Sequence, residues 1–333
     1  MHDHHIHLFA TAAALASAQC GPGAARDRAG LARALAVQAP DARGWVRGVG
    51  YHESVAGELD RAGLDALRGD VPVRVQHRTG QLWLLNSRAL ERLGLEREPQ
   101  LPPGVERDGT GRATGRLYRC DAWLRERIGA DAPPSLAGVG RRLSALGITA
   151  VTDATASNGP AELAAFAAAR ASGELPQRLV VMGTLELSDC NPLPGIEIGP
   201  LKIHLAETQL PALEDAIGAI RAAHARKRNA AVHCLTRAEL VFALAAYEAA
   251  GVKAGDRLEH VHVAPPECIA WIARLGLTVC TSPALVEARR DEWILAAEPG
   301  DRAWIGDGEA LRAAGVACLF GSDAPHGPLG AAC

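Results

Sequence analysis

The prediction of the fold starts from residues 257–283, which read RLEHVHVAPPECIAWIARLGLTVCTSP. Its first part, RLEHVHV at 257–263, contains β-branched valines and precedes a predicted helix, so we interpret it as a strand. The next part, PPECIAWIARLG, begins with prolines and ends at Gly276, which predicts a helix. The final part, LTVCTSP, is again typical of a strand. A strand, a helix and a second strand in this order predict two parallel strands joined by a helical crossover.

The same alternation extends over the second half of the chain. Predicted strands start near residues 148, 178, 201, 231, 258, 278 and 317, and the opening HHIHLF adds an eighth. Their nearly continuous apolar character is typical of a parallel sheet that is covered on both faces. Eight parallel strands with intervening helices predict an α/β fold, the (β/α)8 TIM barrel. A longer loop is expected after residue 283, before the helical GEALRAAG.

A segment rich in Gly, Arg and Pro interrupts this alternation of strands and helices between the first and second barrel strands. We therefore expect a metal-dependent barrel from residues 1–40 and 136–333. Residues 41–135 are expected to form an inserted subdomain that covers the substrate.

Composition and charge exclude several classes of function. The 333 residues are 48% hydrophobic and carry a formal net charge of −3, so nucleic acid and acidic membranes are not expected partners. The sequence has no apolar run of transmembrane length. The eight cysteines form no C-x-x-C pair, which favours reduced thiols in a cytoplasmic protein. We expect a cytoplasmic protein with a small-molecule substrate, and leave open whether it forms a homo-oligomer.

The opening stretch MHDHHIHLFA at residues 1–10 contains four histidines. His5 and His7 are two residues apart, so on a strand their imidazoles share one face and can hold one metal ion. His2 and His4 have the same spacing, and a disordered His-rich terminus fits this stretch equally well when it is taken alone. The remaining strand ends must therefore decide between these interpretations.

Further polar residues fall at the carboxyl ends of the predicted strands, where barrels of this kind place their active sites. These residues are Lys202, His204, His233, His260, His262 and Asp323. Several imidazoles with one carboxylate suit Zn²⁺ or a similar divalent ion. A single histidine of this kind is more often an ordinary polar residue, and Asp323 alone also fits a turn cap. The joint pattern at one end of the barrel predicts a metal centre.

These motifs resemble those of the metal-dependent amidohydrolase superfamily, within it the YtcJ-like branch related to N-substituted formamide deformylases. Residues 3–8, DHHIHL, match the D-x-H-x-H-[LF] pattern, RLEH resembles R-[IL]-E-H, and FGSDAP resembles G-S-D-[AW]-P. GWVRGVGYHES, LLNSRAL and LGITAVTDA also resemble that branch. The resemblance selects His260 rather than His262 as a ligand. It implies one or two Zn²⁺ ions, or other divalent metals, bound by His5, His7, Lys202, His233, His260 and Asp323.

The resemblance implies an amidohydrolase that cleaves the C–N bond of an amide, formamide or cyclic amide, other than a peptide bond. Lys202 is expected to be carboxylated and to bridge two metals, since a carbamate supplies two anionic oxygens whereas an ammonium would repel a cation. A bound metal lowers the pKa of water to about 7. The hypothesis is that the resulting hydroxide attacks the substrate while Asp323 transfers its proton to the leaving nitrogen. Asp323 and Lys202 are thus the predicted catalytic residues.

Three departures from the family pattern are visible. The β-sandwich that usually flanks the barrel is expected to be absent, since the sequence begins at the first predicted strand and ends ten residues beyond Asp323. The D-G-H motif of the insertion reads Thr79-Gly80-Gln81, and HLAETQLP replaces a D-G-S-rich loop after Lys202. The last two departures leave the identity of the substrate open.

Four residues are predicted to contact the substrate: His204, His262, Gln81 and Trp83. Core packing is the competing interpretation of Trp83. Glu259 points away from His260 on a strand, so we expect it to support the structure rather than bind metal. A decarboxylase or isomerase on the same barrel, and a non-catalytic degenerate barrel, are the alternative functions, because a fold does not determine a reaction.

Overall fold

The computed structural model describes residues 1–97, 101–129, 133–191, 193–306 and 308–330. In chain order, the strands of these residues are β1 His2–Ile6, β2 Ala18–Gln19, β3 Val46–Tyr51, β4 Val73–His77, β5 Leu82–Leu85, β6 Val105–Arg107, β7 Ala113–Tyr118, β8 Ala150–Asp153, β9 Arg178–Gly183, β10 Ile196–Ile203, β11 Ala230–Cys234, β12 Arg257–His260, β13 Thr278–Thr281 and β14 Cys318–Phe320. The helices are α1 Leu8–Leu15, α2 Arg28–Val37, α3 Glu53–Ala56, α4 Arg61–Asp65, α5 Ser87–Leu93, α6 Asp121–Ile128, α7 Ala137–Ala145, α8 Pro160–Ala171, α9 Leu213–Ala225, α10 Arg237–Ala250, α11 Pro266–Leu275, α12 Pro283–Ala296 and α13 Gly308–Ala313.

The chain divides into two compact units. The first comprises residues 1–11 and 135–333, and the second comprises residues 12–134. The first unit contains an eight-stranded sheet in the order β1-β8-β9-β10-β11-β12-β13-β14. Each hydrogen-bonded pair in it is parallel. The predicted (β/α)8 barrel is therefore confirmed, and the second unit is inserted between its first two strands.

The two ends of this sheet meet at a seam between β14 and β1. There, the Asp323 N–H donates to the His5 carbonyl at 2.8 Å, and the His7 N–H donates to the Ala324 carbonyl at 2.9 Å. A Cβ at Gly321 would lie 2.6 Å from the His5 nitrogen, so only glycine permits this close approach. The seam brings Asp323 beside His5 and His7.

Apolar side chains fix the barrel strands against the surrounding helices. Leu258 of β12 is fully buried in one cluster with Leu240 and Leu244 of α10 and Ile272 of α11. Burial of each such side chain stabilises the fold by about 1.5–3 kcal/mol. The residues on either side of Leu258 are charged, and they are also buried. Because side chains alternate along a strand, this pattern places charge inside the barrel, opposite the apolar cluster.

The second unit contains a separate six-stranded sheet in the order β2-β3-β4-β5-β7-β6. Strand β3 pairs in parallel with β2 and β4, whereas the remaining pairs are antiparallel. The sequence boundary placed residues 12–40 with the barrel, but the structure groups them with this unit. The reason is that β2 pairs with β3, and Leu31 and Leu35 of α2 pack into the core of the same sheet.

One helix of the barrel unit was predicted as a loop, and that prediction is wrong. Helix α12 follows β13 directly and has Pro283 at its first position. Its charged residues obscure the apolar periodicity, yet Leu285 and Val286 are buried. A proline at the first helical turn was the available signal, because the missing N–H is not needed there.

Candidate metal centre

His5, His7 and Asp323 form the centre of the candidate site. Asp323 Oδ1 lies 3.2 Å from His7 Nε2 and 3.5 Å from His5 Nε2. One ligand atom from each of the three residues lies within 4.8 Å of the others, a grouping that can hold a metal ion. His5 lies in β1, His7 follows the end of that strand, and Asp323 lies in the segment after β14. The seam of the barrel therefore creates this cluster.

Two further predicted histidines join the cluster from neighbouring strands. The His260 ring centroid lies 4.6 Å from that of His5 and 4.7 Å from that of His233. His260 Nδ1 lies 4.0 Å from Asp323 Oδ2. Lys202 of β10 is buried in the same region and is electrostatically coupled to Asp323. The structure thus brings together the six residues that the sequence analysis selected as metal ligands.

Unusual backbone conformations occur at these positions. His260, Val261 and Asp323 have positive φ angles of 72°, 51° and 53°. Such left-handed conformations are unfavourable for residues other than glycine and cluster at functional sites. The left-handed conformations of His260 and Val261 end β12 at His260. His262 therefore does not continue the alternation of side chains that the sequence analysis assumed.

Several polar atoms of the cluster are buried without a hydrogen-bond partner among the described residues. They include His5 Nε2, His260 Nδ1, Lys202 Nζ and Asp323 Oδ1. Leaving such an atom unsatisfied costs about 1–3 kcal/mol. Unpaired imidazole nitrogens beside a carboxylate are a suitable donor set for a divalent cation. On this test the residues fit a bound metal.

The electrostatics of the cluster also favour a metal. Burial lowers the pKa of His5, His233 and His260, and the last two lie well below their usual range. Burial alone would raise the pKa of Asp323, but the neighbouring His7, His5 and His326 side chains hold it below its usual range. The directions for His5, His233 and His260 favour neutral imidazoles, and that for Asp323 favours a carboxylate, which are the protonation states that metal binding requires.

Lys202 is the buried amine of this site. Burial lowers its pKa, the Glu259 carboxylate opposes that effect, and the Arg257 guanidinium adds to it. The amine is therefore easier to deprotonate than an exposed lysine. An uncharged amine is a nucleophile, whereas an ammonium is not.

Glu259 makes a contact that the sequence analysis did not identify. Its Oε2 lies 2.5 Å from His5 Nδ1, and its Oε1 accepts a hydrogen bond of 2.5 Å from Arg257 Nε. This contact spans the barrel interior from β12 to β1. It depends on tertiary structure, and local spacing gives no signal for it.

The predicted substrate contacts fall in both units. In the barrel unit, the His204 ring stacks on that of His233 at 4.5 Å, and the His262 ring lies 4.2 Å from that of Trp293. In the second unit, Gln81 is exposed, whereas Trp83 is buried and donates its indole N–H to Asp121. Core packing therefore accounts for Trp83, and contact of these residues with a substrate stays a prediction.

The comparisons with known proteins agree with this arrangement. The model of the amidohydrolase family matches residues 1–332. The chain belongs to this family. The prediction of an amidohydrolase enzyme is thereby confirmed. No curated protein matches the sequence significantly.

Two solved structures of metal-dependent hydrolases show the same architecture. An uncharacterised metal-dependent hydrolase from Pyrococcus horikoshii OT3 superposes with a TM-score of 0.75 at 19% identity, over 98% of this chain and 71% of that protein. An uncharacterised metal-dependent hydrolase from Pyrococcus furiosus gives a TM-score of 0.73 at 18% identity, over 98% of this chain and 73% of that protein. At these identities the similarity shows the fold.

No helix in the described part of this amidohydrolase is both long and apolar enough to cross a membrane.

Proposed function

We propose that this amidohydrolase uses a divalent metal, Zn²⁺ in the simplest case, to hydrolyse the C–N bond of an amide, formamide or cyclic amide. The convergence of His5, His7 and Asp323 within metal-binding distance carries the proposal. The motifs at these residues also support placement in the YtcJ-like branch. Cysteines that form no C-x-x-C pair in the sequence support a cytoplasmic location.

The residues divide between two metal positions. His5, His7 and Asp323 would hold one ion, His233 and His260 would hold a second, and carboxylated Lys202 would bridge the two. Such a metal lowers the pKa of water and polarises a carbonyl oxygen.

Carboxylation of Lys202 follows from its environment. The deprotonated amine attacks CO₂ and forms a new N–C bond, and loss of one proton from nitrogen leaves a carbamate with one negative charge. This conversion replaces a buried amine, which has no hydrogen-bond partner among the described residues, by an anion with two oxygen ligands. The neighbouring imidazoles are neutral, so the carbamate with its metals satisfies polar atoms that are otherwise unpaired.

Asp323 is the proton carrier in this proposal. Because its carboxylate is ionised, it accepts the proton that the attacking water loses and then donates it to the leaving nitrogen. Its position beside His5 and His7 places it where the water must be activated. His204 and His262 lie beside the ligand histidines and are proposed to orient the substrate.

A metal analysis combined with a substrate panel tests this function. The purified protein is assayed by elemental analysis and is then supplied with N-acyl, N-formyl and cyclic amide compounds, while free amine and released CO₂ are measured. We expect one or two equivalents of metal and release of an amine, with both lost in a His5→Asn variant. Release of CO₂ without amine would instead identify a decarboxylase. A metal-free protein without activity after addition of Zn²⁺ would contradict the proposal.

A further inference from the structure

A chain of buried contacts links Arg257, Glu259 and His5 inside the barrel. Glu259 is fully buried, and its Oε1 accepts from Arg257 Nε at 2.5 Å. Its Oε2 faces His5 Nδ1 at 2.5 Å and also accepts a longer hydrogen bond of 3.3 Å from Arg257 Nη2. Arg257 Nη2 also donates to the His4 carbonyl at 2.8 Å. The guanidinium therefore holds both the carboxylate and the backbone next to His5.

We propose that Glu259, oriented by Arg257, is a positioning residue that keeps the His5 ring in the tautomer with Nδ1 protonated. The Nε2 lone pair then points toward Asp323, where the metal is expected. This inference deepens the proposed function and rests on it, since it assigns a support to one of the proposed ligands. Metal-bound histidines generally donate their second ring N–H to such an acceptor, which fixes the ring and raises its basicity.

The hydrogen bonds of Glu259 support a positioning role. Arg257 donates to both oxygens of Glu259, at 2.5 Å and 3.3 Å, so both oxygens act as acceptors. His5 Nδ1 is then the donor in its contact with Oε2. The His5 backbone is also fixed, because its N–H donates to Asp3 Oδ1 and its carbonyl accepts from Asp323.

A competing interpretation is a second metal site, because His5, Glu259 and Cys280 also lie close enough together to hold an ion. Arg257 argues against it, since its guanidinium occupies the other oxygen of Glu259 and would repel a cation. Burial also raises the pKa of the Cys280 thiol well above its usual range, which disfavours the thiolate that a metal requires.

The variant Glu259→Gln provides a sharp test because an amide presents one acceptor and one donor. Arg257 is always a donor, and its shorter contact comes from Nε, so the oxygen of the introduced amide turns toward Nε. Arg257 Nη2 loses only the longer contact, because it still donates to the His4 carbonyl. The amide NH₂ then faces His5, whose Nδ1 must become an acceptor and whose proton moves to Nε2. The ring loses the lone pair that a metal at the seam needs.

Two readouts separate positioning from a structural role. Nitrogen-15 NMR of histidine-labelled, metal-free protein reports the tautomer of His5, which is assigned with a His5→Asn variant. Chelator competition with Zn²⁺ then measures affinity. We expect Glu259→Gln to switch the tautomer and to weaken Zn²⁺ binding by about 10–100-fold.

A double variant, Arg257→Met with Glu259→Gln, covers the case in which the single variant does not fold, since it leaves no unpaired buried charge. Without Arg257, the oxygen of the introduced amide is free to accept from His5, so the wild-type tautomer is expected to return. Zn²⁺ affinity should then lie between those of the single variant and the wild type. This rescue would not occur if Glu259 were only a packing residue.

The matched control is Asp256→Asn. Asp256 Oδ2 lies 2.9 Å from His224 Nε2, and both side chains are buried, so this is a histidine–carboxylate pair of the same kind. Asp256 also accepts from the N–H of Ala230, the first residue of β11, which places the pair at the opposite end of the barrel. We expect the control to lower stability and to leave Zn²⁺ affinity unchanged.

The outcomes are distinguishable. An unchanged His5 tautomer and unchanged Zn²⁺ affinity in Glu259→Gln would overturn the positioning role, even if the wild-type protein is an active metalloenzyme. Failure of the wild-type protein to bind metal would overturn the proposed function. The tautomer comparison would still decide the role of Glu259 in that case, because it needs no metal.

Discussion

Replacement of Lys202 by methionine should affect the stability of the metal-free and metal-loaded protein in opposite directions. In the metal-free protein, the Lys202 amine is buried without a hydrogen-bond partner among the described residues. Methionine has a similar length and removes this unsatisfied group. The penalty for such a group is about 1–3 kcal/mol, so the free energy of unfolding of metal-free Lys202→Met should rise by that amount.

The pH dependence of stability provides a second part of the same prediction. Because burial lowers the pKa of Lys202 below its usual 10.5, the unfolded chain binds more protons than the folded protein as the pH approaches that value. Stability of the metal-free wild type should therefore rise with pH up to about 10.5. The variant should lack the contribution of Lys202 to this rise.

Addition of Zn²⁺ and bicarbonate should reverse the order of stability. A ligand at a thousand times its dissociation constant stabilises the folded state by about 4 kcal/mol. The wild type should gain this stabilisation in full, whereas the variant lacks the bridging residue and should gain much less. It should also lose metal in elemental analysis.

Urea unfolding with and without Zn²⁺ measures these differences, and Lys253→Met is the control. Lys253 is exposed, and its amine donates to the His224 carbonyl, away from the candidate site. This control should gain as much stability from Zn²⁺ as the wild type. The reasoning would be refuted if metal-free Lys202→Met were less stable than the wild type, or if the variant kept two equivalents of Zn²⁺.

Three further predictions concern individual groups of the site. Asp323→Asn should retain bound metal but lower kcat by about 10²–10⁴-fold in steady-state assays, and unchanged turnover would exclude Asp323 as the proton carrier. Burial lowers the pKa of His262 from 6.5 to about 3, so metal-free protein should lose stability as the pH falls below about 6.5. At pH 5 this loss of unfolding free energy amounts to about 2 kcal/mol. Urea unfolding of His262→Gln should lack the loss, whereas a loss as large as that of the wild type would contradict its assignment to His262. Removal of metal with a chelator should abolish hydrolysis and Zn²⁺ should restore it, whereas full activity of metal-depleted protein would contradict the metal requirement.

The barrel strands were predictable because their signals are local. Apolar runs between glycine-bounded helices define β8 to β13, and the carboxyl ends of the strands then place His233 and His260 on one side. The left-handed turn at His260 and Val261 was not predictable, since neither residue type favours it. Because β12 ends at this turn, the alternation of side chains along a strand does not predict which way His262 points.

The contacts across the barrel interior were not predictable from sequence spacing. His5 and Glu259 are 254 positions apart, and their contact depends on how the sheet closes. The sequence did indicate that Glu259 supports the structure, because alternation separates it from His260. The grouping of residues 12–40 with the second unit was missed for a similar reason, since the two-residue strand β2 is too short to show a pattern.

The seam between β14 and β1 couples metal binding to the opening of the barrel. Bonds from Asp323 to His5 and from His7 to Ala324 close the sheet, and a cation held by His5, His7 and Asp323 would cross the same junction. Any motion that parts the first and last strands also pulls the ligands apart. Since the ion binds only when the ligands are together, its binding stabilises the closed barrel relative to the open one. Amide hydrogens at this junction should therefore exchange more slowly as the ion is titrated in.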